Sequence, residues 1–346
     1  MRRRARLLTG ALALLCALDL AGQAEAPYRP YEANARELAE ADAYLAANLT
    51  PLPEGWRWRE RAVPRGFVRT GEAGTPGQPT VLFIPGFTGV AEQYADYYDA
   101  WRARGWRVVS LGLPGQGGSV RRAGNPEKPW SGDFGRYAGA VTPVIEAEAT
   151  KGPLVVVGES FGGHVALRAL AEGAPADAAV LVVPALDAQT LDVPRRLALG
   201  TAHVAKALGF GDAYAAGTGP WAPKGGIGDG RCGDREDRLG VQGALYAHRP
   251  ELRVGGPHWA WLSGLQTSGA ALARPGALDD VTIPVTMIQA KDDMVVRNER
   301  AARACANMAD CRLMVWGDTS HCLGVEEDTV RDRLHGVIAE AVEAAR

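Results

Sequence analysis

The chain has 346 residues, of which 47% are hydrophobic and 23% charged, and its formal net charge is −2. These are ordinary globular values, and they argue against a disordered chain and against a nucleic-acid binder, which would carry a basic surplus. The length suits one large domain or two small ones.

The first 26 residues stand apart. A basic start, MRRRAR, precedes the mostly apolar LLTGALALLCALDLAG, and Ala24-Glu25-Ala26 fits a small-residue cleavage site before Pro27. This predicts a secretory signal peptide over 1–26 and an exported chain, periplasmic or secreted. The alternative is an uncleaved N-terminal membrane anchor. Asp19 interrupts the apolar run, which is short for a membrane span. Cys16 follows Leu15, where a lipoprotein signal would place a small residue.

Residues 27–55 read as an amphipathic helical lead-in that ends at Pro51. A core is then expected in two parts, 56–186 and 276–346. Trp56–Arg69 suits a strand pair, and residues 75–79 (TPGQP) a turn. Short apolar strands then alternate with amphipathic helices: strand Thr80–Pro85, helix Glu92–Arg104, strand Arg107–Leu111, helix Asp133–Thr150, strand Leu154–Val157, helix Phe161–Ala171 and strand Ala178–Val183. That alternation predicts an α/β fold with a mostly parallel sheet covered on both faces. Between 187 and 275 it stops. Helical pieces at 194–210 and 257–273 flank a Gly-rich loop at 217–234. An insertion between late strands would lie over their C-terminal edge as a cap. Strand Val281–Ala290, helix Glu299–Asn307, strand Arg312–Trp316 and a helix from Glu326 complete the core.

With Cys16 removed, four cysteines remain: Cys232, Cys305, Cys311 and Cys322. In an oxidising compartment three pairings are open. Cys305–Cys311 is the expected local pair, which leaves Cys232 and Cys322; the alternative is four free buried thiols. The spacings do not match a zinc site.

The chemistry points to residues 158–164, GESFGGH, directly after the strand. A G-x-S-x-G at a strand-to-helix junction holds its serine, Ser160, on a sharp turn with the hydroxyl exposed. The helix N-terminus favours negative charge at the same spot, so the Phe161 N–H is a candidate oxyanion donor. Gly86 allows close approach in the loop after the first core strand, which makes the Phe87 N–H the second donor. A serine hydroxyl needs a base, and the base needs an orienting acid. His321 lies in the loop after the last strand, and Lys291-Asp292-Asp293 ends the strand before it. Position alone leaves Asp292 and Asp293 both open. Residues 114–119, PGQGGS, read as a structural loop packed near the site.

These segments resemble the α/β-hydrolase superfamily over nearly all of the sequence after residue 26. Within it, FIPGF at 83–87, PGQGGS at 114–119, GESFGG at 158–163, QAKDDMVV at 289–296 and Ser320-His321 are similar to the monoacylglycerol lipase and bacterial lysophospholipase branch, grouped with the serine aminopeptidases. The resemblance implies Ser160 as nucleophile, Asp293 as orienting acid, two residues before Val295-Val296, and His321 as base. The chain departs from that branch at Pro85-Gly86, where His-Gly is common, and at Gly112, where an acid is common.

The expected activity is therefore cleavage of carboxylic esters, lipid-like ones such as a lysophospholipid or monoacylglycerol, without metal or cofactor. Transient contact with a membrane surface is compatible with that reading. Trp221, Trp259 and Trp261 are candidates to line an acyl pocket. Two rivals remain: an aminopeptidase, with Asp229, Asp234, Glu236 and Asp237 as possible holders of a free amine, and a binding module that has kept the fold without its chemistry.

Overall fold

In a computed structural model, the described residues are 27–190, 193–223, 232–233 and 235–346. The expected signal peptide, Asp229, Asp234, the Glu236 side chain and much of the Gly-rich loop lie outside them.

Eight strands form one sheet in the order β1-β2-β4-β3-β5-β6-β7-β8. They are β1 Arg57–Val63, β2 Gly66–Ala73, β3 Thr80–Ile84, β4 Arg107–Leu111, β5 Leu154–Glu159, β6 Ala178–Val182, β7 Val285–Ala290 and β8 Cys311–Trp316. Strand β2 pairs antiparallel with β1 and with β4, and β4, β3, β5, β6, β7 and β8 run parallel. This mixed, mostly parallel sheet with flanking helices is the α/β-hydrolase architecture.

The strand sequences explain the layers. Successive side chains point to opposite faces. Leu82, Ile84, Val109, Leu111 and Val156 face α3 (Phe134–Ala149) and α4 (Phe161–Ala171). Their neighbours Val81, Phe83, Val108, Val155 and Val157 face α2 (Ala95–Ala103) and α10 (Asp328–Ala344). Both faces are buried, so the central strands read as continuous apolar runs.

Local chemistry sets the boundaries. Asn34 caps α1 (Ala35–Asn48) by accepting from the N–H of Glu37, whose carboxylate accepts from the Asn34 N–H in return. Strand β7 begins at Val285 rather than at Val281. Pro284 has no N–H to give a ladder, and the Val281 N–H closes a turn onto Leu278.

The stretch between β6 and β7 contains α5 (Arg195–Ala205), α6 (Glu236–Leu239), α7 (Val241–His248) and α8 (Trp259–Leu272). Sequence periodicity anticipated α5 and α8 but missed α7, whose eight residues are bounded by Gly240 and interrupted by Gly243. Helix α7 is held from outside: the Gly240 N–H donates to Tyr44 Oη at 3.0 Å, and Tyr44 and Leu45 of α1 pack with Val241 and Leu245. The N-terminal lead-in therefore braces this stretch.

Both cysteine pairs are disulfides, Cys232–Cys322 and Cys305–Cys311. The first ties the stretch between β6 and β7 to the loop after β8. The second joins α9 (Asn298–Ala306) to β8.

Candidate active site

In the sheet order, β4 lies on one side of β3 and β5 on the other. Loops leaving β3 and β5 therefore diverge and leave a crevice at their C-terminal ends, where open α/β sheets bind ligands. Gly86-Phe87 follows β3 and Ser160 follows β5, one on each side of that crevice.

Ser160 occupies a positive-φ turn (φ 52°, ψ −115°) between β5 and α4. The turn is fixed from both sides: the Ser160 N–H donates to the Val182 carbonyl at 2.8 Å, and its own carbonyl accepts from the N–H groups of His164 and Ala185. The flanking glycines are required by contact. A Cβ on Gly162 would lie 2.1 Å from the Ile84 carbonyl oxygen, and one on Gly158 2.7 Å from the Gly163 Cα. Only bare backbones let α4 approach β3 this closely.

His321 Nε2 lies 2.9 Å from Ser160 Oγ, and His321 Nδ1 lies 2.7 Å from Asp293 Oδ2. Asp293 Oδ1 accepts the N–H groups of Val295 and Val296 at 2.7 and 2.8 Å. An ionised carboxylate only accepts, so Nδ1 must carry a proton and Nε2 is left to accept from the serine hydroxyl. The Asp293 side chain has no exposure, and that of His321 has 7%. Asp292 is exposed. The turn after β7 thus aims one of two adjacent carboxylates at the imidazole and the other at solvent.

Phe161 opens α4, so its N–H is among the helix's unsatisfied first donors. A Cβ on Gly86 would stand 3.3 Å from the Ser160 Cβ, which places the Gly86-Phe87 backbone beside the hydroxyl. Three side chains hold that loop. Gln116 donates from Nε2 to the Gly86 carbonyl at 2.6 Å and accepts the Thr88 N–H on Oε1 at 3.2 Å. The Thr88 carbonyl accepts from Gln242 Nε2 at 2.8 Å and Tyr246 Oη at 2.6 Å. Sequence reading placed 114–119 near the site without identifying Gln116. It also missed Gln242 and Tyr246, because neither carries a local signal.

The three tryptophans separate. Trp261 packs on Phe87 at 4.8 Å and on Phe161 at 5.2 Å between ring centroids, so it borders the crevice. Trp259 is buried with Ala202, Ala205 and Ala215, between α5 and α8. Trp221 packs against Tyr31 and Tyr246. Those two are internal packing residues, because their apolar faces are consumed inside the helical stretch and its brace. Among the candidate amine holders, Asp237 is paired with Arg235 at 2.8 Å.

Other buried histidines are tied up elsewhere. Desolvation lowers the pKa of His164 to about 4, and its ring nitrogens bond the Ala185 carbonyl and Ser268 Oγ. His258 is likewise pushed down by burial. Among the described residues no group of His, Cys, Asp or Glu is arranged to hold a metal ion.

Residues 75–328 match the family model described as serine aminopeptidase, S33. Lysophospholipase L2 of Escherichia coli strain K12 is 27% identical over 276 residues, 76% of this chain and 79% of that protein. A soluble variant of monoglyceride lipase from Saccharomyces cerevisiae, solved with a substrate analogue, has a TM-score of 0.66 at 13% identity and covers 86% of this chain and 99% of its own. Paleococcus ferrophilus monoacylglycerol lipase has a TM-score of 0.62 at 15% identity, covering 80% and 99%. At such identities the structural likeness carries the fold alone.

Proposed function

The chain belongs to the serine aminopeptidase S33 family of α/β-hydrolases, an esterase- and lipase-like group, and on that premise we propose that it hydrolyses carboxylic esters of lipid-like substrates, lysophospholipids or monoacylglycerols, through an acyl-enzyme on Ser160. The observation that carries the reading is the unbroken hydrogen-bond chain from Ser160 Oγ through His321 to Asp293 at the mouth of the sheet crevice.

The steps follow from the proton positions. His321 Nε2 takes the hydroxyl proton as Ser160 Oγ attacks the ester carbonyl. The N–H groups of Phe87 and Phe161 receive the oxyanion. Asp293 holds the imidazole in the accepting tautomer and stabilises the imidazolium. His321 then protonates the leaving alkoxide. Water, deprotonated by the same imidazole, releases the acid and restores Ser160.

Two features favour a lipid-like substrate. Phe87 is half-buried beside Ser160 with Trp261 packed against it, an aromatic border to the crevice suited to an acyl chain. Along the α5 segment, Val193, Leu197, Val204 and Leu208 are 39–56% exposed and recur at near-helical spacing on one side. Such a stripe, with Arg196 and Lys206 on the same segment, suits transient contact with an anionic membrane surface. The stretch between β6 and β7 would then serve as the cap through which substrate enters.

An aminopeptidase is the second reading, favoured by the family's description. It is weakened by Asp237, whose carboxylate is already neutralised by Arg235.

The test is hydrolysis of p-nitrophenyl esters of increasing acyl length by the native chain and by Ser160→Ala. Loss of about 10⁴-fold or more in the variant is expected. An optimum at long acyl chains supports the lipid reading. Turnover of aminoacyl amides but of no ester would overturn it in favour of the aminopeptidase.

A further inference from the structure

Glu159, the last residue of β5, directly precedes Ser160 and is buried, and the steps above leave its carboxyl unused. Its carboxylate accepts a hydrogen bond from Tyr94, whose Oη donates to Oε2 at 2.7 Å. Tyr94 ends the short turn Ala91–Tyr94 that leads into α2, and its ring stands edge-on to Phe83 of β3 at 4.8 Å. The loop after His321 closes onto the same aromatic pair. A Cβ on Gly324 would meet Tyr97 Oη at 3.3 Å and Tyr94 Cε1 at 3.5 Å, and Leu323 is fully buried in their cluster. Glu159 therefore lies in a slot bounded by Tyr94 and by the His321 loop.

We propose that Glu159 is a positioning residue for His321: its negative charge, held in place by Tyr94, stabilises the imidazolium that forms when Ser160 gives up its proton. The inference rests on the reading of Ser160 and His321 given above. Asp293 occupies the Nδ1 side of the ring through a hydrogen bond, whereas Glu159 acts through space from beside the nucleophile. The slot excludes solvent, so the attraction is screened far less than at the surface. The proton inventory is unchanged, because the proton still passes from Ser160 Oγ to Nε2 and on to the leaving oxygen.

The other groups facing the slot are consistent with this role. Burial raises the carboxyl's pKa on balance, against the smaller opposing pull of the Tyr94 hydrogen bond and of the charge on His321. Tyr97 and Tyr98, from α2, also feel Glu159, and burial pushes both phenols upward, so they stay neutral. Arg331 of α10 and Asp96 of α2, paired with each other, also act on Tyr97. Glu326 also reaches the His321 loop, where its carboxylate accepts the Ser320 N–H at 2.6 Å.

The test uses Glu159→Gln, which keeps the acceptor for Tyr94 and removes the charge, with p-nitrophenyl butyrate as a neutral substrate. The expected result is a fall in kcat of about 10- to 100-fold with KM within about twofold. Removing a nearby anion disfavours the imidazolium, so the acidic limb of the pH–rate profile should move down by about half to one pH unit. Tyr94→Phe should shift both in the same direction by less, and it carries the test if Glu159→Gln does not fold. A folded Glu159→Gln with an unmoved acidic limb and kcat within twofold overturns the proposal. So does a loss confined to the KM of a cationic ester such as butyrylthiocholine, which would make Glu159 a substrate contact. Full activity in Ser160→Ala would instead overturn the reading beneath it.

Discussion

Asp293→Asn tests the geometry most sharply. Asp293 Oδ1 accepts two backbone N–H groups, from Val295 and Val296, and Oδ2 faces His321 Nδ1 at 2.7 Å. The asparagine must keep its oxygen on the Oδ1 side, because an amide NH₂ there would meet two donors. Its NH₂ then takes the Oδ2 position and points at the Nδ1–H. Two donors at that distance repel, so the imidazole shifts its proton to Nε2 and presents a donor to Ser160 Oγ. The base is lost although every heavy atom stays in place. The expected fall in kcat is about 10⁴-fold, or about 5 kcal/mol at 1.36 kcal/mol per decade, with KM little changed. Because the exchange is isosteric and keeps both Oδ1 bonds, the Tm should move by only a few degrees. The assay is p-nitrophenyl butyrate hydrolysis with Asp292→Asn as control, and the exposed Asp292 variant should stay within about twofold. If Asp293→Asn keeps more than a tenth of native kcat, or if Asp292→Asn is the variant that collapses, the assignment of the orienting acid is wrong.

Gln116→Ala removes two of the side-chain bonds that hold the Gly86–Thr88 loop, and kcat should drop about 10-fold at nearly constant KM; a pure KM effect would mean the loop binds substrate rather than the oxyanion. The two disulfides span 90 and 6 residues, so loop entropy predicts losses of about 4–5 kcal/mol for Cys232→Ser/Cys322→Ser and about 2 kcal/mol for Cys305→Ser/Cys311→Ser. Urea unfolding measures both, and a reversed order would contradict the argument. Burial holds His164 near a pKa of about 4, below the unfolded value of about 6.5. The folded state therefore binds fewer protons, and stability that is complete above pH 6.5 should be lost as pH falls toward 4, by up to about 3 kcal/mol. Tm measured from pH 7 to 4 should fall less steeply for His164→Gln, and parallel curves would refute this contribution.

What the sequence by itself determined is what repeats over short distances. Short continuous apolar runs alternating with helical stretches specified a sheet covered on both faces, and the glycines around Ser160 specified the turn, because each depends on residues within one or two elements. Tertiary structure alone decided the rest. Asp292 and Asp293 are equivalent as letters, and only the turn that places Val295 and Val296 under Oδ1 separates them. Gln116 and Tyr246 reach the Gly86–Thr88 loop from 30 and 158 residues away along the chain, and Glu159 acquires its place from Tyr94 and the His321 loop. Such contacts follow from the order in which strands pair. That order brings β3, β5 and β7 to one edge, and no local periodicity encodes it.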